Sequence, residues 1–306
     1  MDSQFARAVK AFNSSCIKIN SSLNGKPQQV YGTVLNIDAK KVSTKFRSGS
    51  FLLSKSSLVG DGISVDPGTG ELLSAAVVSR DKMQDLVLLY LPAKLKSSVR
   101  ISALTDSTII PLADLGKFLL SIFPGQQHKV SVLGSKYFGL DKKFSSGYFG
   151  ASATFIDKQI VLTRIAPGSP AATAGLLLQD QVTGINGVSI SLPPEYGKEL
   201  MQYEPGDTIT VQGQRTSIPF SLKVVLTSMP SGAKHPADYF SGGKSIRRDG
   251  FYKVFTHDVI LKPEECGGPV FDLNGKFYGI NIARFSRTSC LVMPADVISK
   301  FVLKSL

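Results

Sequence analysis

The stretch Lys262-Pro263-Glu264-Glu265-Cys266-Gly267-Gly268-Pro269-Val270-Phe271-Asp272-Leu273-Asn274-Gly275-Lys276 sets one thiol ahead of two glycines, a proline and an apolar run. Glycines permit tight turns and close backbone approach, so this is a side chain presented on a sharp corner before a strand. Downstream, Gly279-Ile280-Asn281-Ile282-Ala283 reads as the next strand. Met293-Pro294-Ala295-Asp296 then opens a closing helix, Ala295 to Leu303, with the proline in or before its first turn. Upstream lies His257, nine residues before the thiol, on a strand-like run.

The chain has 306 residues, enough for two or three domains, with 42% hydrophobic and 19% charged residues. Its first part, to about residue 125, reads as β-structure. Short apolar runs recur at Cys16–Ile19, Val30–Leu35, Phe51–Leu53, Ala75–Val78 and Leu86–Leu91, with glycine-rich turns between them. Gln4 to Phe12 fits a short amphipathic helix. A second strand series starts near Val99-Arg100-Ile101 and runs to Val132-Leu133. It then breaks off, and strands resume only after a polar stretch beyond Pro230.

No apolar run approaches the ~18 residues that span a bilayer, and no signal peptide is visible. The net charge is +12, but the basic residues are scattered, as at Lys40-Lys41, Lys142-Lys143 and Arg247-Arg248. That pattern predicts no specific nucleic-acid partner; attraction to anionic or envelope surfaces is the weakest of three functional readings. Three cysteines, Cys16, Cys266 and Cys290, without CxxC spacing exclude a disulfide-dense scaffold and a zinc ribbon. No cofactor or metal motif is present. Spacing leaves a Cys266–Cys290 disulfide open.

The interruption has its own motifs: Gly147-Tyr148-Phe149-Gly150-Ala151, then Ile165-Ala166-Pro167-Gly168-Ser169-Pro170-Ala171-Ala172-Thr173-Ala174-Gly175-Leu176, then Asp180 to Ile190, then Pro205-Gly206-Asp207. Matching several motifs in order, this unit resembles a PDZ domain of the bacterial, protease-associated kind. The resemblance implies a carboxylate-binding loop at Gly147, Tyr148, Phe149, Gly150 and Ala151, whose backbone N–H groups would cradle a peptide C-terminus. It implies a free strand edge from Ser152 to Phe155 and a facing helix from Glu195 to Tyr203. Phe149, Ala151, Ala153, Leu200 and Met201 are the candidate side-chain pocket, although each could equally pack the domain core.

The flanking segments resemble HtrA-type, trypsin-like serine proteases. The match to the nucleophile region covers about 50 residues. The expected fold is mainly β: two trypsin-like barrels with the PDZ domain inserted in the second. The domains read as 1–97 for the first barrel, 98–144 for the start of the second, 145–228 for the PDZ unit and 229–306 for the remainder. In the family, PDZ follows the whole protease domain, so HtrA-like trimers and activation do not carry over, though self-association is still admitted. The family implies a periplasmic or envelope location and peptide or protein C-terminal partners.

The resemblance also places the catalytic triad at Ser57, Asp85 and Cys266, where the family has histidine, aspartate and serine. A thiolate is a good nucleophile, but it needs a base that accepts and returns its proton. No histidine occurs before residue 128, and His128, His235 and His257 lie outside base-like segments. Glu264 stands where the family has the oxyanion-hole glycine, beside the Cys266 N–H; losing one donor costs ~10²–10³ in rate. Glu264 and Glu265 are expected to raise the thiol pKa by repulsion. Lys55 as a base is disfavoured, since it would need a strongly depressed pKa. The leading expectation is a non-catalytic, peptide-binding scaffold or quality-control protein. The alternative is an active endopeptidase using Cys266.

Overall fold

The computed structural model describes residues 9–23, 25–68, 70–97, 99–101, 110–143, 145–230, 240 and 242–306. Residues 9–12 are helical. The rest of the expected entrance helix, and His235, lie outside the described residues.

Eight strands make the first sheet: β1 (Cys16–Leu23), β2 (Lys26–Ile37), β3 (Ser50–Lys55), β4 (Asp61–Val65), β5 (Leu73–Ser74), β6 (Ala76–Asp81), β7 (Leu86–Leu91) and β8 (Val99–Ile101). Their order is β5-β4-β1-β2-β3-β7-β6, antiparallel, with β8 parallel to β2. Thus Val99–Ile101 does not open the second barrel, as the sequence suggested. It closes onto the first sheet, with Val99 beside Leu35 and both Val99 and Ile101 buried in the core. A three-residue apolar run carries no signal of which sheet it joins.

Two strands follow, β9 (Phe118–Ile122) and β10 (His128–Val132). The chain then builds a separate compact unit, Lys142–Lys234. Its sheet contains β11 (Ala151–Ile156), β12 (Gln159–Ile165), β13 (Gln181–Ile185), β14 (Val188–Ser189), β15 (Thr208–Arg215) and β16 (Ile218–Val225), in the order β11-β12-β13-β15-β16 with β14 on β13. Two helices accompany it, α1 (Pro170–Thr173) and α2 (Pro193–Leu200). Helix α2 begins two residues before the expected Glu195, because Pro193 fits the first helical position, where no N–H is needed. Glu195 folds back to accept from the Ser191 and Leu192 N–H groups at 2.8 and 3.0 Å. Inside, Asp180 is fully buried and paired with Arg215 at 2.7 Å.

The chain then resumes the second sheet with β17 (Phe255–His257), β18 (Pro269–Asp272), β19 (Phe277–Arg284) and β20 (Cys290–Pro294), and ends in α3 (Ala295–Ser305). The order β10-β9-β18-β19-β20-β17 joins strands from both sides of the inserted unit. One core runs between the two sheets: Leu53 and Leu88 from the first meet Phe271, Ile280 and Ile282 from the second, capped by Val297 and Phe301 of α3. The fold is mainly β, with two half-barrels and an inserted mixed α/β unit.

Candidate functional site

At the end of β3 the chain turns through Ser56–Leu58, and Asp85 precedes β7 in a left-handed conformation with φ 56°. The β3–β7 pairing brings the two together. The Ser57 N–H donates to Asp85 Oδ1 at 2.6 Å and its hydroxyl to Oδ2 at 3.0 Å. Lys55, 1% exposed, forms an ion pair with the same carboxylate and donates to the Arg247 carbonyl at 2.9 Å. Lys55 is therefore the counter-ion of Asp85. That occupies it as a cation, the opposite of what a general base requires.

Cys266 follows a tight turn at Pro263–Glu265, and its N–H donates to the Pro263 carbonyl at 3.2 Å. The donor expected to line an oxyanion hole is thus spent inside its own loop. Glu265 holds that turn by accepting from the Lys262 N–H at 2.8 Å and pairing with Lys129 at 2.9 Å. Gly267 has φ 96°, and a Cβ there would sit 1.9 Å from the Tyr31 carbonyl oxygen. The first glycine of the thiol corner is required sterically.

The thiol is fully buried. Its pKa is pushed up to about 12, chiefly by burial, with the nearby Cys290 adding to the shift; Lys55, the Ser245 hydroxyl and the Arg284 backbone oppose it. The direction agrees with the sequence reading but the cause does not. Glu264 is exposed and Glu265 is neutralised by its partners, so neither drives the shift. Cys16, Cys266 and Cys290 are all free, and the Cys290 thiol donates to the Val259 carbonyl at 3.3 Å.

His257 does not serve the thiol. Its Nδ1 lies 2.9 Å from the Ser131 hydroxyl and its Nε2 2.8 Å from Asn281 Oδ1. Asn281 in turn donates to the Ser121 hydroxyl at 3.2 Å, and its carbonyl accepts from the Gly267 N–H at 2.7 Å. The imidazole is thus a neutral brace behind the thiol loop, its pKa lowered to about 4 mainly by burial. His128 is exposed at the start of β10.

One participant escaped the sequence reading. The polar stretch read only as a return to strands buries Ser245, Arg247 and Asp249. The Ser245 N–H donates to the Arg284 carbonyl at 2.9 Å, and its hydroxyl accepts from the Arg284 N–H at 2.9 Å. The same hydroxyl favours the Cys266 thiolate, against the effect of burial. Two residues on, the Arg247 carbonyl caps Lys55, and its guanidinium donates to the Met83 carbonyl at 3.1 Å. This segment therefore spans from the thiol to the Asp85 carboxylate. The available signal was Gly242-Gly243 and Gly250, positive-φ positions bracketing it.

In the inserted unit, β11 is an edge strand, longer at both ends than the expected Ser152–Phe155. It faces α2 across a groove of about 390 Å³. Gly147, Tyr148, Phe149, Gly150, Ala151, Leu200 and Met201 all line it. Ala153 packs against the unit's core, and Phe149 does both, meeting Tyr196 edge-on at 6.4 Å. Gly150 has φ 81°, and a Cβ there would lie 2.2 Å from Ser169 Cβ. No acceptor among the described residues takes the Phe149 or Gly150 N–H. Two unsatisfied donors beside an open sheet edge can receive a carboxylate.

Known proteins are similar to parts of this chain. Residues 147–226 match the PDZ domain family model. Over 103 residues the chain is 27% identical to a probable periplasmic serine endoprotease, DegP-like, of Pseudomonas fulva. That alignment covers 32% of this chain and 22% of the relative, so the chain spans well under two thirds of that protein. Among solved structures, the Rv3671c protease of M. tuberculosis in its active form overlaps with TM-score 0.44 and 14% identity, over 96% of this chain and 81% of that one. The serine endoprotease of Yersinia pestis overlaps with TM-score 0.32 and 15% identity, over 74% and 98%. Residues 147–226 thus form a PDZ domain, and 103 residues of the chain are similar to a DegP-like serine endoprotease.

Proposed function

We propose that this protein binds the C-termini of peptides or proteins through its PDZ groove, and that its trypsin-like barrels do not cleave them. The observation that carries the reading is the state of Cys266. Its thiol is fully buried, its N–H is bonded to the Pro263 carbonyl, and His257 bonds Ser131 and Asn281 instead of the thiol. Acyl transfer requires a nucleophile, a proton acceptor and an oxyanion donor at one point. None of the three is available here. The barrels serve as a scaffold for the groove, in a quality-control role at the cell envelope that the homology supports.

The test pairs two measurements on the whole chain. Fluorescence anisotropy with dye-labelled decapeptides should show binding of free C-terminal carboxylates and loss of binding for the C-terminal amides. Casein hydrolysis should stay at the buffer rate. Cleavage that disappears in Cys266→Ala would return the chain to the active endopeptidases. Gly150 is a poor probe of the groove, because any side chain there collides with Ser169. Leu200→Glu is better, since it charges the groove wall from a half-buried position.

A further inference from the structure

Gly197 sits in the interior of α2, on the groove. Its φ is not positive, and a Cβ built on it meets nothing within 4 Å. Neither backbone conformation nor close packing requires glycine there. In a helix interior it costs about 1 kcal/mol relative to alanine. What it provides is empty space on the ligand side of the groove.

Arg164 lies on β12 directly opposite Ser152 of β11, and both line the groove. Cross-strand partners share a face, and residues alternate along a strand. Ala151 and Ala153 pack against the core, whereas Ser152 is exposed and a register shift between Ser152 and Ala153 leaves both Thr163 and Arg164 exposed beside it. Arg164 has no ion pair among the described residues, and no acidic side chain lines the groove.

The loop fixes the polarity of a ligand. The Gly147 N–H bonds the Tyr203 carbonyl at 2.7 Å, which sets the carboxylate loop at the C-terminal end of α2. A peptide paired with β11, its carboxylate at Phe149 and Gly150, directs its last residue to the wall formed by Leu200 and Met201. Its penultimate residue faces Arg164. Its third-from-last residue, roughly 7 Å further along at strand rise, faces α2 again, one helical turn back, at Gly197.

We propose that, among the C-termini it holds, the groove selects for an acidic penultimate residue and a bulky third-from-last residue. This rests on the peptide-binding reading above and assigns Arg164 and Gly197 as its specificity residues. The test is anisotropy on the whole chain with decapeptides ending Phe-Asp-Leu, Phe-Lys-Leu and Ala-Asp-Leu. The wild-type protein should prefer Asp over Lys by about fivefold, the scale of an exposed charge pair. Arg164→Glu should reverse that preference. Gly197→Leu, which favours the helix and so should not unfold it, should weaken the Phe-Asp-Leu peptide while sparing Ala-Asp-Leu. Equal binding of all three peptides by all three proteins overturns the selectivity and leaves C-terminal binding standing. Binding of none of them, with free or amidated ends, overturns both.

Discussion

Lys55 and Asp85 form a buried ion pair beneath the Ser57 turn, with 1% and 2% of their side chains exposed. In an active triad of this kind the aspartate orients an imidazole. Here its two oxygens are divided between an ammonium, a hydroxyl and an N–H. Those bonds tie the end of β3 and its turn to the start of β7. Removing one partner leaves the other charge buried and uncompensated. Lys55→Met should therefore destabilise the barrels by about 3–5 kcal/mol in urea unfolding. The double variant Lys55→Met/Asp85→Leu should recover a large part of that loss, because two apolar groups need no partner.

The thiol should be inert. A pKa raised from 9.0 to about 12 lowers the thiolate fraction at pH 8 by about a thousandfold. Cys16 and Cys290 are buried as well, with pKa values also raised, above all by burial. Thiol titration of the native protein should show three slow groups. In guanidinium all three should react at once. A fast native equivalent assigned to Cys266 would show the loop open in solution.

His257 makes stability depend on pH. Its folded pKa, about 4, lies below the ordinary 6.5. The unfolded chain therefore takes up a proton as pH falls from 6.5, while the folded form stays neutral until about 4. Stability from this group is complete above pH 6.5 and declines toward pH 4, by up to about 3 kcal/mol. Urea midpoints at pH 7 and pH 5 should differ in the wild type. The difference should shrink in His257→Gln, which retains hydrogen-bonding groups but does not titrate.

Asp180 gives the PDZ unit its own dependence at lower pH. Burial pushes its pKa up, but the Arg215 bonds and the Leu177 N–H outweigh that and hold it below 3.8. Its contribution is present above pH 3.8 and is lost as pH falls through the depressed value. Arg215 is 41% exposed, so solvent screens the pair. Asp180→Asn should cost roughly 1–3 kcal/mol and flatten the acid limb, read from hydrogen exchange of β13 and β15 amides.

Motifs with strong local geometry were legible in the sequence. The Cys266-Gly267-Gly268-Pro269 corner, the Gly147–Ala151 loop and the strands Leu86–Leu91 and Cys290–Met293 all announce themselves through glycine placement or continuous apolar runs. Two kinds of feature were not. Val99–Ile101 is too short to declare its sheet. The Ser245–Asp249 segment is polar throughout, so hydrophobic periodicity cannot report that it is buried; its burial depends on partners, Arg284 and Lys55, that are distant in sequence. The thiol's neighbours were misjudged for a related reason. Adjacent glutamates suggest repulsion, but only the fold reveals that Lys129 cancels one of them.

The second sheet pairs Ser121 of β9 with Val270 of β18, strands that lie on either side of the 142–234 unit. An unfolded connection of that length would impose a substantial entropic penalty on registering the two strands, and pairings so remote in sequence are slow to form. Once the intervening unit has folded, the Tyr148–Thr227 bridge holds the two sides of its chain together and the effective length of the connection falls. The PDZ unit then acts as a splint during assembly of the barrel, so lesions in its core, far from any barrel residue, should slow refolding of the barrel itself.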